Sequence, residues 1–114
     1  MVGQAIGYGL IANMVQSSGN LDRDTQTLIQ QFQQGDSNLR VSGQSRRFRL
    51  SNSQALATRL QGPSPFQGVN EELVLITAQR PRATFFLLLI APDRDMNVAQ
   101  PVFDQIIQSV RFAN

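Results

Sequence analysis

The side chains available for chemistry in this 114-residue chain are carboxylates, hydroxyls, arginine and one tyrosine, because the chain has no histidine and no cysteine. Its ten basic residues are all arginine, so lysine is missing as well. Without these three types there is no imidazole base, thiol nucleophile, Schiff-base lysine or usual Cys/His zinc site. The composition therefore argues against an unaided enzyme and predicts no catalytic residue and no cofactor in this segment.

A short glycine-containing pattern lies near the N-terminus. The segment 7–12, GYGLIA, matches the Gly-x-Gly-x-x-Ala form of a dinucleotide-binding turn. That site requires a strand before the pattern and a helix that opens at it, so that backbone amides surround the pyrophosphate. Here only six residues precede the pattern, which lies inside an alternation typical of a strand. We therefore favour small residues that let a helix pack closely on a strand over nucleotide binding.

Four oxygen-bearing side chains follow the spacing of positions 1, 3, 5 and 12 in an EF-hand loop. They are Asp93, Asp95, Asn97 and Asp104. Oxygen ligands at these steps can surround a hard cation such as calcium. However, Val98 stands where the sharp turn requires glycine, and an aspartate replaces the bidentate glutamate. Turn formation and helix capping are therefore favoured over a metal site.

Arginines on two neighbouring extended segments, with a Pro-rich loop, form the predicted interaction surface. Its members are Arg46, Arg47, Arg49, Arg59, Pro63, Pro65 and Phe66. With Arg40 beside them, these arginines could hold phosphate or RNA, and Phe48 could serve as a stacking platform. The net charge is only +2, however, and arginine at alternate strand positions is also typical of a solvent-exposed face. Nucleic-acid binding is therefore the less favoured interpretation.

The chain has two glutamates, Glu71 and Glu72, which are adjacent on a predicted strand. Neighbouring strand residues point to opposite faces of a sheet. The two carboxylates are therefore not expected to act as an acid–base pair.

The hydrophobic pattern predicts one α+β domain over residues 1–114, in the order β-α-β-β-β-β-α. A strand is expected over 6–14, and apolar positions at helical spacing predict a helix from Leu21, capped by Asn20 or Asp22 and stopped at Gly35. The later strands are expected over 39–49, with a kink at Gly43, and over 54–61, 72–79 and 84–91. A turn at 51–53 and another at 80–82 join them.

The run Phe85–Ile90 has no polar alternation, which predicts a strand buried on both faces. Helices must then cover both sides of the sheet. A closing helix supplies one of them through a wide apolar stripe, made of Val102, Phe103, Ile106, Ile107 and Val110. The expected architecture is an antiparallel sheet of about five strands packed between helices. A strand that starts almost at residue 1 suggests a fragment of a longer chain.

The second half of the sequence contains a set of turn and core motifs that occur together in one family. The motifs are Ser64–Gly68, Glu72–Thr77, Arg80-Pro81, Ala91–Asp93 and Phe103–Arg111. In this combination the chain resembles the tail domain of bacterial HtpX-like zinc metalloproteases, and the similarity extends more loosely to the first half. Such tails are similar to the PsbP-like fold, an antiparallel sheet held between helices.

The resemblance implies a non-catalytic accessory or protein-interaction domain whose parent chain is a zinc metallopeptidase. The protease's HExxH motif would lie upstream, so no catalytic residue is carried over. The implied partner is the parent protease domain or its substrates, and the implied location is the cell envelope or periplasm. The apolar run 1–15 is too short to span a bilayer, so no transmembrane segment is predicted in this chain.

Two alternatives stay open. One is a free-standing PsbP-like module that takes a ligand or peptide at the loop end near Pro63–Gly68. The other is arginine-mediated nucleic-acid binding.

Overall fold

The computed structural model describes residues 9–35, 38–63 and 70–112, which form a six-stranded antiparallel sheet between two helices. The elements are β1 (Gly9–Gln16), α1 (Leu21–Gly35), β2 (Arg40–Val41), β3 (Arg46–Leu50), β4 (Ser53–Pro63), β5 (Asn70–Gln79), β6 (Ala83–Pro92) and α2 (Met96–Ser109). The strand order is β1-β6-β5-β4-β2, and β3 also pairs with β4. The predicted α+β class with an antiparallel sheet is confirmed.

The sheet has one strand more than predicted because the extended segment 39–49 divides at Gly43. This glycine has a φ of +93°, a conformation that glycine adopts without steric cost. On either side of it, β2 and β3 pair with different parts of β4, as shown by Val41 opposite Leu60 and Arg46 opposite Ala57. The expected kink is thus confirmed, and it separates two strands.

The turn between β3 and β4 consists of two residues with positive φ, Ser51 at 48° and Asn52 at 70°. Two left-handed residues form the type I′ hairpin turn, whose twist matches that of the flanking strands. The Arg49 side chain donates a hydrogen bond to the Asn52 carbonyl at 3.1 Å. The predicted turn is confirmed at Ser51 and Asn52, whereas Ser53 is already the first residue of β4. The positive φ values favour asparagine or glycine.

Asn52 offers a direct test of this turn. Asn52→Gly is expected to raise the free energy of unfolding by about 0.5 kcal/mol, because it removes a Cβ that is costly at positive φ. Asn52→Ala is expected to lower it by about 1 kcal/mol, because alanine keeps the Cβ and lacks the polar side chain that lets asparagine adopt positive φ. Urea unfolding of the three proteins measures both changes. If alanine were tolerated as well as glycine, the left-handed turn would be refuted.

Helix α1 begins and ends as predicted. The backbone N–H of Arg23 donates to the Asn20 side-chain oxygen at 3.1 Å, so Asn20 is the capping residue. The predicted apolar side is buried at Leu21, Leu28 and Ile29. Within the described ranges, no helix is long and apolar enough to cross a membrane.

The sheet has a separate hydrophobic core on each side, because consecutive residues of a strand point to opposite faces. On the face packed against α1, here called the α1 face, lie Leu60, Leu73, Leu75, Phe86 and Leu88 with Leu28 and Ile29 of the helix. On the opposite α2 face lie Ala55, Val74, Ile76, Leu87 and Leu89 with Ala99 and Phe103 of α2. The expected burial of β6 on both faces is confirmed.

The predicted stripe of α2 is wrong at two positions, because Val110 follows the end of the helix at Ser109 in an extended conformation and Val102 is exposed. Phe103 is buried at 2% exposure, and Ile106, Ile107 and Val110 pack against the α2-face core, but Val102 is 44% exposed. Successive residues of a helix are about 100° apart around its axis. Because Phe103 points towards the sheet, Val102 lies at the edge of the buried side of the helix. A helix that packs on one face of a sheet buries only one side. That side is narrower than the apolar stripe predicted from the sequence.

Strand β1 contains the described part of the glycine pattern, and Gly7 and Tyr8 lie outside the described residues. The strand continues to Gln16, so the structure shows no helix opening at residues 9–12. Leu10 and Ile11 are about half exposed, at 52% and 50%, so no described helix packs over them either. Neither interpretation of the pattern therefore matches the described geometry, which is that of an edge strand.

Candidate functional site

A groove of about 350 Å³ lies between α2 and the part of the α2 face formed by β3, β4 and β5. We call it the α2 groove. Its lining residues are Gln44, Arg46, Phe48, Ala57, Arg59, Val74, Ile76, Gln100, Asp104, Ile107 and Gln108. Such a concave site with an apolar floor and a few convergent polar groups is typical of ligand and peptide pockets.

The floor of the α2 groove is apolar because three strands present small or aliphatic side chains there. Ala57 pairs with Ile76 across β4 and β5, and paired residues share a sheet face. Val74 and Ile76 are buried, at 5% and 1% exposure. Since Ala57 ends at its Cβ, the space above it stays open between the sheet and Ile107 of α2.

One wall of the groove is a polar network that starts from the buried Glu72. The Arg59 guanidinium forms an ion pair with the Glu72 carboxylate, which also accepts a hydrogen bond from Gln61 at 3.3 Å. Glu72 is only 8% exposed, so its charge needs these partners. Arg59 is therefore committed to holding a neighbouring carboxylate.

The same network continues onto α2. Arg59 donates a second hydrogen bond to the Gln100 side-chain oxygen at 2.8 Å. The Gln100 amide nitrogen donates in turn to Asp104, one helical turn further, at 2.9 Å. These contacts orient Gln100 and tie α2 to β4, so the wall of the groove is held in place before any ligand arrives.

Arg46 is the cation at the rim of the groove that remains available to a ligand. It lies on the α2 face opposite Ala57, and its side chain is exposed. Among the described residues it takes part in no ion pair and no side-chain hydrogen bond. Beside it, the half-buried Phe48 offers an aromatic surface. A free guanidinium next to an apolar floor can bind a carboxylate that carries an apolar neighbour.

The other predicted arginines do not join this site. Arg47 points to the α1 face, where it forms an exposed ion pair with Asp22 at 2.6 Å. Arg49, two residues further and on the same face, bonds to the turn carbonyl of Asn52. The structure therefore brings together Arg46 and Arg59 of the predicted set and places Arg47 and Arg49 on the opposite side of the sheet.

The Pro-rich part of the predicted surface lies at another end of the sheet. Pro63 is exposed at the end of β4 and lines a separate cavity of about 630 Å³ with Arg40 and Asp93. Pro65 and Phe66 lie outside the described residues.

The four candidate cation ligands do not form a loop. Asp93 and Asp95 lie in a 3-10 helix, Asp93–Asp95, that leads directly into α2, which contains Asn97 and Asp104. Because an α-helix rises about 1.5 Å per residue, Asp104 is carried roughly 10 Å along the axis from Asn97. In the part of the chain that the structure describes, no group of three or more metal-ligating side chains could hold an ion.

The favoured interpretation of these acidic residues as helix caps is only partly confirmed. Asp95 occupies the N-cap position of α2, but its side chain makes no capping hydrogen bond. Its charge still lies at the positive end of the helix dipole, where a carboxylate is favourable. The acidic residues before α2 thus act through charge at the helix start.

Sequence reasoning missed the two glutamines of α2 that line the groove, Gln100 and Gln108. With Asp104 they recur every four residues, a spacing that places side chains on one side of a helix. This polar row runs beside the apolar row of Phe103 and Ile107. The spacing was therefore available as a signal, but it becomes a groove wall only once the helix is placed on the sheet.

The fold is similar to that of a solved protein. The crystal structure of PA94 from Pseudomonas aeruginosa, a protein of unknown function suggested to be a regulator, matches with a TM-score of 0.71 and 13% sequence identity. The match covers 94% of this chain and 74% of that chain. At this identity the similarity shows a shared fold alone. No family model and no curated protein matches the sequence.

Proposed function

We propose that this chain is a non-catalytic protein-interaction domain that binds an acidic, partly apolar segment of a partner protein in the α2 groove. The observation that carries the proposal is Arg46, an uncommitted guanidinium beside an apolar floor. A carboxylate of the partner pairs with Arg46, while a neighbouring apolar side chain covers Phe48 and Ile107. This arrangement uses one charge-assisted contact for orientation and apolar burial for affinity.

The charge balance around the groove favours a peptide carboxylate over a nucleic acid. The positive side chains are Arg46 and Arg59, and the negative ones are Glu72 and Asp104. These charges sum to zero, so a polyanion gains little from the surrounding field. A single carboxylate that contacts Arg46 is stabilised by its direct contact with the guanidinium, whatever the net charge of the groove. The second predicted alternative, arginine-mediated nucleic-acid binding, is therefore not adopted.

The resemblance to HtpX-like tails supplies the biological setting of the proposal. In that setting the chain is a PsbP-like accessory domain of a bacterial envelope zinc metalloprotease. Its partner is the protease domain of the parent chain or a protease substrate. The groove is open on the α2 face and prearranged by the Arg59 network, which suits the recognition of such a segment.

Arg46→Ala tests the proposal with a defined probe, a fluorescein-labelled octapeptide of alternating leucine and aspartate. We expect the dissociation constant measured by fluorescence polarisation to rise between about tenfold and about a hundredfold, because a hydrogen bond to a charged group contributes about 1.5–3 kcal/mol and 1.4 kcal/mol corresponds to a factor of ten. Amide chemical-shift changes at Phe48, Ile76 and Ile107 should place the peptide in the groove.

Arg82→Ala is the matched control, because it removes the same charge from the exposed β5–β6 turn. It should leave the affinity unchanged, and a peptide of alternating leucine and lysine should not bind. Equal weakening by Arg46→Ala and Arg82→Ala would show that only net charge matters, and absence of binding to the unmodified chain would refute the groove.

A further inference from the structure

The outer edge of β1 is the least protected part of the sheet. Strand β1 ends the strand order, and the structure pairs it with β6 alone. Its outer backbone groups therefore face away from every described strand. Its apolar side chains are also about half exposed, at 52% for Leu10, 50% for Ile11 and 49% for Met14.

Proteins usually protect such an edge with charged side chains, proline, a bulge or a very short strand. Strand β1, with the sequence GLIANMVQ, has none of these devices. Its eight residues pair one-to-one with β6, from Gly9 opposite Ile90 to Gln16 opposite Ala83, without a bulge. The other edge differs, since β2 has two residues and β3 carries three arginines. One edge is thus blocked by charge and shortness, and no described strand covers the other.

We propose that β1 pairs with β1 of a second copy of this chain. The two strands run antiparallel about a two-fold axis perpendicular to the sheet, so that one continuous sheet crosses the dimer. The lack of charge on β1 disfavours a charged partner strand and permits self-pairing. No charged residue occurs before Asp22, so self-pairing brings no like charges together and a charged strand would find no counter-charge on β1. The contact is isologous and therefore closes at two copies.

The two-fold axis also restricts the register. It keeps the α2 faces of both copies on the same side, so only residues that share a face can lie opposite each other. Leu10 and Met14 both lie on the α2 face, since their β6 partners Leu89 and Phe85 belong to or pack against the α2-face core. With Ala12 on the axis, Leu10 of each copy lies opposite Met14 of the other, and both exposed side chains are covered.

The dimer contact is independent of the proposed peptide binding. The α2 groove is lined by residues of β3, β4, β5, α2 and the segment before β3, and by none of β1. Pairing at the β1 edge therefore leaves the groove open, and each proposal can fail without the other.

Sedimentation equilibrium of the full chain tests the pairing. We expect a mass twice that of the 12.7 kDa chain for the unmodified protein and the monomer mass for Leu10→Lys/Met14→Lys. Val41→Lys is the matched control at the opposite edge, because Val41 is 43% exposed on a strand and should leave the dimer intact. Circular dichroism confirms that each variant is folded.

A second double variant tests the register. In Leu10→Glu/Met14→Lys, the carboxylate introduced at position 10 lies opposite the ammonium introduced at position 14 of the other copy, so we expect the dimer to return. A monomer at the highest soluble concentration of the unmodified chain overturns the proposal, whether or not the variants fold. Persistence of the dimer in the double-lysine variant, or failure of the charge pair to restore it, overturns it as well.

Discussion

Phe103→Ala is expected to lower the free energy of unfolding by about 3–5 kcal/mol, the usual cost of emptying a buried aromatic site. Phe103 is 2% exposed and is among the largest fully buried side chains of the domain. It packs with Val74, Ile76 and Leu89 in the α2-face core. Removing the ring leaves a cavity beneath α2 that the sheet cannot fill. Urea unfolding followed by circular dichroism measures the loss.

Val102→Ala is the matched control, since it shortens the adjacent residue of the same helix. Val102 is 44% exposed, so we expect a change within about 0.5 kcal/mol. A loss at Val102 comparable to that at Phe103 would mean that α2 packs through a different side. The α2 groove would then be lined differently, because the positions of Gln100 and Ile107 depend on the same rotation of the helix.

Asp24→Asn is expected to lower the free energy of unfolding by about 2–4 kcal/mol at neutral pH, because a buried carboxylate loses several charge-assisted hydrogen bonds. Asp24 is 6% exposed. Its carboxylate accepts hydrogen bonds from the Thr84 hydroxyl at 2.7 Å, the Ser18 N–H at 3.1 Å and the Ser17 hydroxyl at 3.3 Å. It thus joins the start of α1 to β6 and to the loop that follows β1.

The same hydrogen bonds make the stability of the fold depend on pH. Burial alone would raise the pKa of Asp24, but the hydrogen bonds donated to the carboxylate, those from Ser18 and Thr84 first, outweigh burial and hold the pKa below its ordinary value of 3.8. A lowered folded-state pKa stabilises the fold above the unfolded-state pKa, and this contribution is lost as the pH falls through the folded-state value. When the pH falls from neutral to strongly acidic, the free energy of unfolding of the Asp24→Asn variant should therefore decrease less than that of the unmodified chain.

Asp22→Asn is the control for both measurements. It removes an identical carboxylate from the first turn of α1, so the effect on the helix dipole is the same. Its ion pair with Arg47 is exposed, however, and such pairs contribute about 0–1 kcal/mol. If the two asparagine variants lost equal stability and kept equal acid sensitivity, the buried network would not be the cause.

The sequence predicted the elements wherever local signals agreed with one another. The cap at Asn20, the apolar spacing from Leu21 and the end at Gly35 define α1 almost to the residue. The hairpin of β5 and β6 follows from two long apolar runs on either side of a Pro-containing turn. These signals are short-range, because they depend on backbone propensity and side-chain period within one segment.

The site was less accessible to the same reasoning. Arg46 and Arg59 were among the predicted surface residues, but so were Arg47 and Arg49, which lie on the opposite face. Alternation along a strand shows that neighbouring side chains point to opposite faces of the sheet. It does not show which face a helix covers, or which helix covers it. Local spacing places Asp24 only as a favourable negative charge in the first turn of α1, whereas its hydrogen-bond partner Thr84 is 60 residues away in sequence.

The amino-acid sequence alone therefore determined the absence of histidine, cysteine and lysine, the α+β class and the two-sided burial of β6. Tertiary structure decided which chemical groups meet. The groove lies between α2 and the small side chain of Ala57 on β4, and Arg46 is available because the carboxylates near it are engaged with Arg59 and Gln100. Both facts depend on contacts between distant segments, which periodicity within one segment cannot specify.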